Sequence, residues 1–283
     1  MGRVEDKVVF ITGAARGQGR SHAVHLAEEG ADIIAVDICQ DIATNEYPLA
    51  RPEDLDETAR LVEKTGRRIV LIQADVRDRR ALAEALDTGI TELGKLDVIV
   101  ANAGICPLGE DLPVAAFIDA VDVDLVGVIN AVHVALPHLG EGGSIIMTGS
   151  VAGLLSSASS GSGPQGLGGA GYNLAKRVIV DYSTTLAAKL APKSIRVNAV
   201  HPTNCNTDML QSEPMYKTFR PDLATPTAKE AEAGFRSMQA MPTPWVDPSD
   251  ISYAVVYLAS DESRYVTGLQ LKVDAGATVQ RGV

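Results

Sequence analysis

The chain has 283 residues, 46% hydrophobic and only 4% aromatic, enough for one α/β domain or two small ones with a core of Val, Ile, Leu and Ala. A net charge of −11, with no run of Lys and Arg, excludes a general binder of nucleic acid or anionic membrane. Cys39, Cys106 and Cys205 are too scattered for a disulfide framework or a metal site, and no apolar stretch is long enough to span a bilayer, so a cytoplasmic protein is expected.

Strand-like runs come at Lys7–Thr12, Asp32–Asp37, Arg68–Gln73, Leu96–Ala101, Ser144–Gly149, Ile195–Val200 and Leu269–Val273. Amphipathic helical stretches separate them, near 18–29, 53–65, 79–92, 113–139, 172–191 and 248–259. Strands alternating with helices imply right-handed crossovers. The expected fold is α/β: a single-domain Rossmann-type doubly wound parallel sheet of about seven strands over residues 1–283, with helices on both faces.

Three stretches interrupt this rhythm. Residues 38–52 form a connection longer than the ~2–6 residues usual for a βα loop. Residues 156–171 are almost wholly Ser, Gly and Ala and read as a loop. Residues 203–247 scatter Pro among Met209, Leu210, Met215, Phe219, Phe235, Met238, Met241 and Trp245, which suggests a substrate lid, or else a subdomain packing its own small core.

The first strand runs into Thr12-Gly13-Ala14-Ala15-Arg16-Gly17-Gln18-Gly19, and a helix follows. Gly13 permits the turn, Gly17 and Gly19 permit close approach, and the helix N-terminus offers free N–H groups to a pyrophosphate. Asp37, ending the second strand, is placed to accept from both ribose hydroxyls of an adenosine. A 2′-phosphate there meets like charge, roughly 3 kcal/mol at ~5 Å and an effective dielectric of about 20. Arg16 is a competing attraction, but it is longer and more mobile, so NAD is expected over NADP.

Tyr172-Asn173-Leu174-Ala175-Lys176 sets a phenol and an ammonium one helical turn apart on a shared face. A phenol with pKa ~10 is a poor base at neutral pH. An ammonium ~4 Å away contributes roughly 4 kcal/mol, about three pKa units, toward its ionised form. Alone the spacing is weak. With the glycine-rich turn, Asp75-Val76, Asn102-Ala103-Gly104, Ser150, Pro202 to Thr207 and Val273-Asp274-Ala275-Gly276 in order, the whole chain resembles the short-chain dehydrogenase/reductase family.

The resemblance implies that Asp75 and Val76 contact adenine, that Asn102, Ala103 and Gly104 brace the sheet and line the cofactor, and that Thr207 reaches the nicotinamide carboxamide. It further implies that Ser150 holds the substrate oxygen, Tyr172 exchanges its proton, and Lys176 bonds the nicotinamide ribose; Gly13, Ala15, Arg16, Gly17, Gln18, Gly19, Asp37, Pro202 and Thr203 complete the cofactor set. Two positions depart from the family pattern. Asp124 stands where an asparagine usually holds a water linking the lysine to solvent, so its charge must alter that relay; Asn130, six residues on, is no substitute. Thr203 follows Pro202 where glycine is common.

Arg16-Gly-Gln-Gly-Arg-Ser-His22, the 38–52 extension and His201-Pro-Thr-Asn-Cys-Asn-Thr207 are similar to the mycofactocin-associated branch, which includes carveol dehydrogenases. That likeness implies tightly held NAD under the extension, a small apolar alcohol or ketone such as a cyclic terpenoid, mycofactocin as electron acceptor, and a homotetramer. A hydrolase reading fails because Thr148-Gly149-Ser150-Val151-Ala152-Gly153 lacks the G-x-S-x-G elbow. His22 and His25, three apart on one helix, lack a partnering carboxylate motif and read as surface or subunit-contact residues. A catalytically silent NAD-binding module, or a dehydratase or epimerase on this fold, is the alternative.

Overall fold

Val8–Thr12 (β1) is buried along its whole length, as a strand covered on both faces must be. In the computed structural model, which describes residues 2–109, 111–155 and 164–283, it lies in the interior of a seven-stranded parallel sheet. The others are β2 (Asp32–Asp37), β3 (Ile69–Gln73), β4 (Leu96–Ala101), β5 (Leu139–Thr148), β6 (Arg196–Pro202) and β7 (Gln270–Val273), ordered β3-β2-β1-β4-β5-β6-β7. Register pairs Val8 with Asp32 and Thr12 with Val36 on one side of β1, and Val9 with Val98 on the other.

Alternation along β1 divides the core. Val8 and Phe10 join the layer of α3 (Arg79–Leu93), α5 (Gly127–Ala135) and α7 (Gly166–Leu190). Val9 and Ile11 join that of α1 (Gly17–Glu28), α2 (Pro52–Glu63) and α10 (Pro248–Ala259). This is the expected doubly wound sandwich. The order reverses between β1 and β4, so a crevice opens at the strands' carboxyl ends.

Three expectations need correction. The stretch 113–139 is not one helix: α4 (Val114–Val121) passes through a π-helical turn at Asp122–Val126 into α5, then a 3₁₀ turn at Leu136–His138, and Leu139 already belongs to β5. Residues 166–171, read as loop, are the first turns of α7, which follows the short α6 (Val151–Leu154); 156–163 lie outside the described residues. The glycines serve close packing: a Cβ on Gly168 would stand 2.3 Å from the Pro107 carbonyl oxygen, and one on Gly171 2.5 Å from that of Phe117. His22 is wholly buried, its Nδ1 2.8 Å from Ser252 Oγ, and is a core residue.

The 203–247 segment carries α8 (Glu213–Phe219) and α9 (Ala228–Ser237). Phe235 is completely buried there, edge-on to Phe219 at 4.7 Å and near Tyr216 and Trp245. Its cluster includes Leu210 and Met215 and reaches Cys106, Leu108 and Tyr172 below.

Candidate active site

The crevice is a single continuous cleft bordered at the strand ends. Gly13 follows β1, Asp37 ends β2, Asp75 and Val76 follow β3, Asn102 to Gly104 follow β4, Ser150 follows β5, and Pro202 ends β6; all of them line it. Arg16, Gln18, Thr203 and Thr207 line it as well.

At one end, Gly13 adopts φ +68°, and a Cβ on Gly19 would stand 1.9 Å from the Gly13 carbonyl oxygen. Gly19 therefore lets helix α1 approach its own strand, whereas the expectation gave it to the pyrophosphate. No side chain caps the N-terminus of α1, leaving free N–H groups that suit an anionic ligand, while Gln18 Oε1, an acceptor, is buried without a partner. Asp37 Oδ2 accepts from Ala15 N–H at 3.0 Å and Oδ1 from Cys39 N–H at 3.2 Å. Burial pushes its carboxyl up against those bonds and the charge of Arg16. Ala15 itself does not line the cleft.

Arg16 is not a free phosphate ligand. Its guanidinium donates to the Pro48 carbonyl at 2.6 Å and pairs with Asp208 at 3.2 Å, joining the 38–52 extension to the 203–247 segment across the cleft. The extension is folded against the protein, with Ile42, Tyr47, Leu49 and Ala50 in the cleft wall. Asp75 is held by Arg77 at 2.7 Å. Asn102 donates to the Thr12 carbonyl and accepts from Thr148 Oγ1, both at 3.1 Å, bracing β1, β4 and β5.

At the other end stand Ser150, Tyr172 and Lys176. Ser150 and Tyr172 both line the cleft, and Lys176 Nζ lies 5.5 Å from the centre of the tyrosine ring. Lys176 donates to the Thr148 carbonyl at 3.0 Å and pairs with buried Asp124, also at 3.0 Å. Asp124 occupies the π turn, where the extra residue aims it inward. Asn130 donates instead to the Val76 carbonyl, away from this centre. Burial pushes the Tyr172 phenol up, with Cys106 and Asp124 adding to it and Ser150 opposing. The lowering expected from Lys176 alone is thus offset in this arrangement.

Thr203, just past the end of β6, donates its hydroxyl to Gln239 at 3.0 Å, a bond that closes the 203–247 segment on itself. Sequence reasoning missed two neighbours. His201 Nδ1 sits 3.2 Å from Ser150 N and its Nε2 2.7 Å from Gln270, buttressing the serine; the signal was Gly149, where a Cβ would meet the imidazole at 2.4 Å. Tyr47 accepts from Cys106 N–H at 3.2 Å, beside the tyrosine and lysine.

A family profile described as enoyl-(acyl carrier protein) reductase matches residues 13–278. The (−)-trans-carveol dehydrogenase of Rhodococcus erythropolis is 44% identical over 99% of this chain and 100% of its own length. The chain belongs to the short-chain dehydrogenase/reductase family. Within that family, a carveol dehydrogenase from Mycobacterium avium, solved in complex with NAD, superposes with a TM-score of 0.92 at 47% identity, covering 99% of this chain and all of that one. The trans-4-hydroxycyclohexanecarboxylate dehydrogenase of Sinomonas cyclohexanicum is 33% identical over 98% of this chain and 94% of its own. Among the described residues no helix is long and apolar enough to cross a membrane.

Proposed function

We infer that the protein is an NAD-dependent oxidoreductase of the short-chain type, interconverting a cyclic apolar secondary alcohol and its ketone. The observation that carries this is the convergence of Ser150, Tyr172 and Lys176 at one end of a cleft whose other end presents Asp37 and the uncapped start of α1. These residues fit NAD: the α1 N-terminus for the pyrophosphate, Asp37 for the adenosine ribose, and Lys176 with Thr207 for the nicotinamide side. Bound NAD supplies the hydride acceptor. Ser150 holds the substrate oxygen, and Tyr172 takes the hydroxyl proton in oxidation or returns it in reduction. The cleft wall of Met209, Leu210, Met215, Phe219 and Met238 excludes water and moulds to an irregular hydrocarbon, which makes 203–247 the substrate lid.

The relatives named for carveol and hydroxycyclohexanecarboxylate oxidation support a ring-bearing substrate. The folded extension supports NAD that stays bound between turnovers, with a separate electron acceptor such as mycofactocin. The exposed Val114 and Ile118 on α4 and Leu167 and Leu174 on α7 support assembly, a homotetramer in this reading, and the cytoplasm is its expected compartment. A screen of cyclic secondary alcohols with an artificial electron-accepting dye tests the function. Dye reduction should follow ring alcohols, and a protein inactive on all of them while carrying NAD would contradict it.

A further inference from the structure

Asp124 has no exposed surface, and its Oδ1 lies 3.0 Å from the nearly buried Lys176 Nζ. Its Oδ2 accepts from Ile105 N–H at 3.1 Å. Gly104 leaves room for the pair, since a Cβ there would stand 2.6 Å from Asp124 Oδ1. A lone ammonium beside a phenol favours the phenolate. An opposite charge 3.0 Å from that ammonium converts the point charge into a short dipole, whose field at the phenol is weaker.

We propose that Asp124 is a positioning residue that sets the working pH of Tyr172 by cancelling the charge of Lys176, keeping the tyrosine a phenol, poised to donate, at neutral pH. The proposal rests on the reading of Tyr172 as the acid/base. Cys106, Tyr47 and His201, beside the centre, carry no charge at neutral pH. Burial pushes up the Cys106 thiol from the loop after β4 and the Tyr47 phenol from the extension, and it pushes down His201 on β6 behind Ser150. Asp122 on the same turn and Asp119 on α4 lie in the field of Arg77. Burial also raises the Asp124 carboxyl, against Lys176 and Ile105, so acidification neutralises it and frees the lysine charge.

The chemistry gives this a direction. Oxidation needs the phenolate, which takes the alcohol proton as the carbinol hydrogen leaves as hydride to NAD⁺. Reduction needs the phenol, which gives that proton to the oxygen as the carbonyl carbon receives hydride from NADH. Cancelling Lys176 therefore slows oxidation and favours reduction at neutral pH, and both pH profiles turn on one ionisation.

Asp124→Asn keeps the shape and removes the charge. The pH midpoints of single-turnover oxidation of a cyclic secondary alcohol by NAD⁺-loaded protein, and of reduction of its ketone by NADH-loaded protein, should both fall by about one unit or more. Ultraviolet difference titration of each protein against its Tyr172→Phe counterpart reads the same phenol without turnover and should show the same fall. Midpoints that stay or rise in both readouts overturn the proposal, as does a wild-type Tyr172 that ionises near neutral pH. Unmoved Asp124→Asn midpoints alongside an inactive Tyr172→Phe would remove the role of Asp124 alone. Full activity in Tyr172→Phe would instead remove the acid/base reading beneath it.

Discussion

Tyr47 accepts a hydrogen bond from Cys106 N–H, and the preceding Ile105 N–H holds Asp124, so two adjacent peptides join the 38–52 extension to the catalytic end. The extension, expected to lie over NAD, thus also reaches the catalytic end of the cleft. Arg16 fastens it to the 203–247 segment through Pro48 and Asp208.

The purified protein should therefore carry NAD that survives extensive dialysis, detected by mass spectrometry after denaturation. Arg16→Ala removes a charge-assisted bond to Pro48 and a partly exposed ion pair, together about 1–3 kcal/mol of closure. NAD loss should then quicken about tenfold. Apo-protein from the wild type, with rapid turnover driven by added NAD, would show that the extension is no lock.

Replacing Asp37 by Ser deletes the like-charge penalty against a 2′-phosphate, roughly 3 kcal/mol at ~5 Å and an effective dielectric of about 20. Because Arg16 is engaged by Asp208 and Pro48, it supplies little compensating attraction. The preference for NAD over NADP should narrow by about tenfold or more, read as a ratio of affinities. An unchanged ratio would place the discrimination elsewhere.

Phe235 supports the lid from within, being completely buried between α8 and α9 and absent from the cleft wall. Phe235→Ala should cost about 3–5 kcal/mol of local packing. KM for an apolar alcohol should rise more than kcat falls, and proteases should cut within 203–247. Equal KM values in variant and wild type would separate this small core from substrate binding.

Burial, with the charge of His25 adding to it, lowers the pKa of His22 to about 3 from an ordinary 6.5. The unfolded chain gains a proton near 6.5 while the folded one does not until about 3, so stability is lost as pH falls through that window. The slope approaches ~1.4 kcal/mol per pH unit in mid-window. His22→Gln should flatten the decline in unfolding free energy between neutral and acid pH. Parallel declines in variant and wild type would assign it to other groups.

Much of this was legible in the chain, for physical reasons. Runs such as Val8–Thr12 and Asp32–Asp37 have no alternation because both faces are covered, and that marks central parallel strands. The spacing of Tyr172 and Lys176 and the oddity of Asp124 were also visible. Their joining was not, because a π turn shifts hydrogen bonds by one residue without changing composition. Gly168 and Gly171 suggested a loop, since close helix packing and backbone freedom select the same residue. His22 looked like surface because its partner, Ser252, lies 230 positions away.

Transfer of label from carbon to nucleotide tests the central claim most directly. NAD-loaded protein is given a cyclic secondary alcohol deuterated at its carbinol carbon, and the nucleotide is weighed after release. One deuterium should appear on the nicotinamide with the wild type, and at least ~100-fold more slowly with Tyr172→Phe carrying the same NAD. Ketone formed with no deuterium in the nucleotide, or equal rates in the two proteins, would contradict hydride transfer governed by Tyr172.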